Sequence, residues 1–167
     1  MIIHCTRKLA ARLPEVSAAE LPESSPVGSW HANLYTIDRR QCVLFCHDES
    51  RYCLFLPGLR APMFADFARH HKELFRATLV RDGVDQARLN RIDFAIGPVH
   101  FDNTTNRSSL GSMITARWDL EGMRMHEDHL LDLDPVLASR DLNSRPATVF
   151  GRWHMPRDRM LEKVMAL

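Results

Sequence analysis

Polar and apolar positions divide the chain into an early extended part and a later helical part. Between Ser29 and Leu56, short runs rich in aromatic and β-branched residues alternate with polar breaks at Asp38-Arg39-Arg40 and Asp48-Glu49-Ser50. This pattern predicts strands over 30–37, 41–47 and 51–56, joined as an antiparallel meander. The middle strand, Cys42-Val43-Leu44-Phe45-Cys46, is apolar on both faces and is expected inside its sheet. Ile2 to Cys5 fits a further strand. From 61 to 80 the period changes to 3.6: Phe64, Phe67, His71, Leu74, Phe75, Thr78 and Leu79 form one stripe, opposite Asp66, Arg69, Glu73 and Arg76. His71, on that stripe, reads as a packing residue, and Asp66 and His70 are spaced to pair.

Other elements are read from punctuation. Prolines at 14, 22 and 26 leave room for only a short helix over 17–21. A short helix over 85–90 and an extended stretch over 92–101, broken at Gly97-Pro98, follow the main helix. A helix from 107 to about 125 takes Leu110, Met113, Ile114 and Trp118 as its apolar stripe. Asp134-Pro135 starts another, since Asp caps and Pro suits the first helical turn. A last helix after Pro156 buries Met160, Leu161 and Val164. Strands first and helices afterwards predict an α+β fold, an antiparallel meander with packed helices in one compact domain.

Composition narrows the class. The chain has 167 residues, 45% hydrophobic and 26% charged, with 22 Lys and Arg against 21 Asp and Glu. A net charge of +1 lacks the basic excess of a dedicated polyanion binder, although a local basic patch is compatible with it. The longest apolar run, Cys42 to Cys46, is too short for a signal sequence or a membrane span, so a soluble, cytoplasmic protein is expected. In that setting Cys5, Cys42, Cys46 and Cys53 are expected as thiols.

Trp30-His31-Ala32-Asn33-Leu34 leading into Ile37–Phe45, then Asn106-Arg107-Ser108-Ser109-Leu110-Gly111-Ser112-Met113, and finally Leu142-Asn143 with Pro146 and Pro156, resemble in this order a family of small uncharacterised bacterial proteins. Such proteins often carry Asn-Asp after Gly-Ser-Met, where this chain has Ile114-Thr115. The resemblance implies a bacterial, soluble, single-domain chain and brings no activity with it.

Candidate chemistry is local. Thr104-Thr105-Asn106-Arg107-Ser108-Ser109 enters a helix whose first turn exposes N–H groups and partial positive charge, so Asn106, Arg107, Ser108 and Ser109 are candidates for holding an anion or a partner group. The plainer reading is that Asn106 or Ser108 caps the helix and Arg107 is solvated. Gly111, unfavourable inside a helix, points to close packing or a ligand there. Arg39 and Arg40, in a hairpin turn, are candidates for phosphate or an acidic partner, against the plainer role of a charged sheet end. Cys42 and Cys46 lie about 13 Å apart on a regular strand, too far to share a zinc ion, and no metal site is expected. His126 and His129, three apart among acidic residues, depart from the His-Glu-x-x-His pattern and read as a solvated helix end. No glycine-rich nucleotide turn is present, and no cofactor is expected.

These features lead first to a binding or regulatory module engaging a protein or nucleic-acid partner. The alternative is an enzyme acting on phosphate esters or nucleic acid, with Arg107, Ser108 and Ser109 on phosphate and a histidine moving protons. A structure that joins histidine, arginine and Asn106 in one pocket would favour the enzyme. A flat apolar patch would favour a partner.

Overall fold

A computed structural model describes residues 1–123, 133–149 and 151–167. The predicted meander is present: β2 (Trp30–Ile37), β3 (Arg40–His47) and β4 (Cys53–Leu59) pair antiparallel. β1 (Ile2–Cys5) adds parallel to β2, and β5 (His100–Asp102) adds parallel to β1, giving the order β4-β3-β2-β1-β5. β3 is buried along most of its length and lies inside the sheet, as its two-sided apolar run requires. The fold is α+β, with this mixed sheet, a small hairpin of β6 (Ala147–Val149) and β7 (Arg152–His154), and, among the described residues, six helices.

The sheet is covered on both faces. Ile3, Trp30, Ala32, Phe45 and Leu54 face one core, filled by α1 (Arg7–Ala10), α2 (Phe67–Arg81), α3 (Gln86–Ile96) and α6 (Pro156–Met165). There Phe64, Phe67 and Phe75 are buried and His71 touches Trp30, Phe45 and Phe75. Tyr35, Leu44, Cys46, Cys53 and Phe55 face the second core, completed by α4 (Arg107–Met123) and α5 (Pro135–Asn143). α5 also closes the free edge of β4. Ser139 Oγ accepts from the Phe55 N–H at 3.0 Å, and the Asn143 amide bonds both N–H and C=O of Cys53 at 2.6 and 2.8 Å. An unpaired strand edge is thereby hidden under side chains.

Several expectations change. The third strand, expected over 51–56, spans Cys53–Leu59. As an edge strand it tolerates the proline, and Pro57-Gly58 form a bulge opposite Cys42, with Gly58 at φ +68°. The helix over 61–80 splits into a 3₁₀ turn, Ala61–Phe64, and α2. Residues 92–96 are helical, because Leu89, Ile92 and Ile96 share the buried face of α3, whose first turn is capped by Asp85. No helix covers 17–21: Ser17 instead bridges to β5, through its N–H to Phe101 and its C=O to Asn103. Asp66 pairs with Arg69 and not with His70, whose ring faces Glu73. In α4 the buried residues are Ser109, Met113, Ala116 and Leu120, while Ile114 and Trp118 of the expected stripe are exposed. His126 and His129 lie outside the described residues. Among the described residues, no helix is long and apolar enough to cross a membrane.

Candidate functional site

One row of side chains crosses all five strands on the α4 face. Asp102 of β5 registers with His4 of β1, His4 with His31 of β2, His31 with Cys46 of β3, and Cys46 with Cys53 of β4. Over β3 and β4 the row is apolar and covered by α4 and α5. Over β5, β1 and β2 it is polar, and there the first turn of α4 and the 20–23 segment frame it.

Asp102 is fully buried and saturated. Its Oδ1 accepts from the Thr104 N–H at 3.0 Å and the Thr104 hydroxyl at 2.7 Å, and its Oδ2 accepts from the Leu21 N–H at 2.9 Å. Burial opposes its ionisation, but these donors and His4 outweigh it and hold the carboxyl below its ordinary range. His4 Nδ1 lies 2.8 Å from Oδ1, so the ring donates there, and its Nε2 has no hydrogen bond among the described residues. Nε2 is 4.0 Å from Asp48 Oδ2, beyond hydrogen-bond distance. His4 and Ser29 share the wall of a cleft of ≈ 410 Å³ with Glu20, Leu21, Pro22 and Glu23.

The neighbouring pair is locked at both ends. The Asn106 N–H donates to His31 Nε2 at 3.0 Å, which places the ring proton on Nδ1, donated to Asp48 Oδ1 at 2.5 Å. Asp48 also accepts from Ser29 at 2.6 Å and Ser109 at 3.0 Å. Burial works against its charge, and the His31, Ser29 and Ser109 bonds still hold it below the ordinary carboxylate range. The rings of His4 and His31 are 4.8 Å apart.

The loop-to-helix junction singled out from the sequence joins this network through Asn106 and Ser109, but none of its residues lines the cleft itself. Asn106 caps α4, its Oδ1 accepting from the Ser109 N–H at 2.9 Å. Ser109 is buried, and its hydroxyl links Asp48 to the guanidinium of Arg51, whose Nη1 lies 2.6 Å away. Ser108 Oγ accepts from Arg51 Nη2 at 2.7 Å. Both serines therefore hold an arginine. Arg107 is exposed, with no ion pair among the described residues. Arg39 and Arg40 stand at the opposite end of β2 and β3, where Asp38 and Arg39, both at positive φ, close a two-residue hairpin. The structure does not bring them to the other candidates.

His4, His31, Asp48, Arg51 and Asp102 were missed as site residues. The available signal was a histidine at a buried position inside each of two apolar strands, Ile2–Cys5 and Trp30–Leu34. His31 has both nitrogens engaged and His4 only Nε2 free, and among the described residues no three His, Cys, Asp or Glu groups are placed to hold a metal ion. All four cysteines are buried thiols.

No curated protein matches the chain. A family model does match it, over residues 2–159, and the chain belongs to that family, a domain of unknown function (DUF6933).

Proposed function

We propose that the chain is an enzyme hydrolysing phosphate esters by general acid–base chemistry, with His4 as the group that moves the proton. The observation carrying this reading is the Asp102–His4 pair: a buried carboxylate fixes Nδ1–H at 2.8 Å, Nε2 has no hydrogen bond among the described residues, and His4 lines an open cleft. That is the arrangement a histidine base needs, with one nitrogen orienting and the other reacting. In the proposed step Nε2 takes a proton from a water that attacks phosphorus. The P–O ester bond then breaks, and the departing alkoxide takes a proton from solvent. Arg107 and the start of α4, beside the Asn106 that bonds His31, supply positive charge for the phosphate oxygens. Ser108 and Ser109 act by holding Arg51 rather than by touching substrate. A bacterial, cytoplasmic setting belongs to this proposal.

The test is hydrolysis of p-nitrophenyl phosphate and bis(p-nitrophenyl) phosphate across pH. General acid–base groups contribute about 10²–10⁴-fold, so His4→Ala and Asp102→Asn are each expected to lose at least 100-fold in kcat while keeping the wild-type circular dichroism spectrum. Wild-type protein inert on both esters, or a folded His4→Ala with unchanged turnover, overturns the proposal.

A second reading, a module docking a protein partner, is favoured by α4, where Ile114 and Trp118 are one turn apart and 46% and 65% exposed. The simplest partner is a second copy of the chain. A sedimentation coefficient that falls to the monomer value in Trp118→Ser supports this reading, and a wild-type monomer at every concentration removes it.

A further inference from the structure

A buried arginine without a counter-ion stands on the other side of the first turn of α4. Arg51 is 5% exposed and holds a positive φ of 57° in the β3–β4 connection. Among the described residues its guanidinium meets two neutral hydroxyls, Ser108 and Ser109, its buried Nε has no hydrogen-bond partner, and no carboxylate lies within ion-pair distance. A charge withdrawn from water costs several kcal/mol unless an opposite charge or enough acceptors compensate it. Arg51 lines a cavity of ≈ 340 Å³ between α4, the end of α5 and the β6–β7 hairpin.

The polar part of that wall suits an oxyanion; Ala116, Leu142, Pro146 and Trp153 make the rest apolar. Gly111, Ser112 and Thr115 of α4, with Arg145 and Thr148 from beyond α5, also line the cavity. Ser112 and Thr115 spend their hydroxyl protons on 3.3 Å bonds to carbonyls one turn back, weak bonds that a ligand oxygen can replace. Arg145 pairs with Asp119, so the two arginines and one aspartate leave a net positive wall. Gly111 has no packing reason to be glycine: a Cβ there meets nothing within 4 Å, and its place on the cavity wall leaves that space to a ligand.

We infer that this cavity is a binding site for a phosphate group, anchored by the buried guanidinium of Arg51. It is separate from the His4 cleft and does not depend on catalysis there.

The experiment is calorimetric titration of the full chain with inorganic phosphate, with sodium acetate and sodium chloride at matched ionic strength as controls. The expected result is saturable binding of one phosphate per chain, at least tenfold weaker in Arg51→Gln and in Gly111→Leu, and unchanged in His4→Gln. Gly111→Leu fills the cavity from a position open to a side chain, so it reads the site even where Arg51→Gln does not fold. Absence of saturable phosphate binding overturns the inference, as does acetate binding equally well, or full phosphate affinity in Gly111→Leu. Phosphate binding lost in His4→Gln and retained in Gly111→Leu places the anion in the His4 cleft, which overturns this inference and leaves the hydrolase proposal standing.

Discussion

His71 and His4 are both buried, yet they sit on opposite faces of one sheet in opposite environments. Under α2, His71 is ringed by Trp30, Phe45 and Phe75, and neither of its nitrogens has a hydrogen-bond partner. Desolvation, helped by the nearby Lys72, drives its pKa down to about 3, so it is a neutral ring used for its shape. His47, on the same face, is pushed down to about 4 mainly by burial, its ring wedged between Val27 and Ser50. Gly28 has to be glycine beside it, since φ is +89° and a Cβ would stand 3.0 Å from His47 Nε2. Under the first turn of α4, His4 and His31 each face a carboxylate held below its usual range. Burial alone leaves His71 a neutral packing ring, whereas His4, also buried, keeps an oriented carboxylate on one nitrogen and no hydrogen bond among the described residues on the other, the arrangement that the proposed proton transfer requires.

The contrast breaks most visibly on the apolar side. Phe67, 1% exposed, packs against Phe45, Phe64 and Phe101. Phe67→Ala is expected to cost about 3–5 kcal/mol in denaturant unfolding, through lost transfer energy and the cavity left behind. A loss below about 1 kcal/mol contradicts that burial.

Acid sharpens the contrast. A histidine whose folded pKa lies below its ordinary 6.5 gives stability that is complete above pH 6.5 and is lost as pH falls, because the unfolded chain gains the proton first. For His71 that window runs from pH 6.5 down to about 3 and amounts to about 2 kcal/mol at pH 5. Asp48 and Asp102, also depressed, lose their contribution only below the ordinary carboxylate range. His71→Phe is therefore expected to narrow the stability gap between pH 7.5 and pH 5 by about 2 kcal/mol. His47 keeps its own share of the gap. An unchanged gap means that His71 finds a partner or charges inside the fold.

The smallest effect is expected on the outer face of α4. Trp118→Ser should change stability by no more than about 0.5 kcal/mol, since the ring is 65% exposed. A cost of several kcal/mol would restore Trp118 to the core, where periodicity placed it.

That stripe shows how far periodicity reaches. Leu110, Met113, Ile114 and Trp118 have helical spacing, and a helix does form there. Spacing does not say which side of the helix meets the sheet. The side chosen carries Ser109, Met113, Ala116 and Leu120: the last three enter the second core, and Ser109 meets Asp48 and Arg51. In α2 the stripe and the buried face coincide, since Phe67, His71, Leu74, Phe75, Thr78 and Leu79 all meet one continuous apolar core.

The meander, the interior place of β3, the amphipathic α2 and a cap by Asn106 or Ser108 are legible in the sequence, because each depends on neighbours within a few residues; the fold selects Asn106 as the cap. Tertiary structure alone decided the site. His4, His31 and Asp102 meet because β1 pairs in parallel with both β2 and β5, and parallel pairing joins strands through long crossovers that leave no fixed spacing in the chain. Arg51 became a buried cation on the same terms. In the sequence it is only the first residue of the third strand, and its charge is enclosed once the helix that begins at Arg107 closes over it.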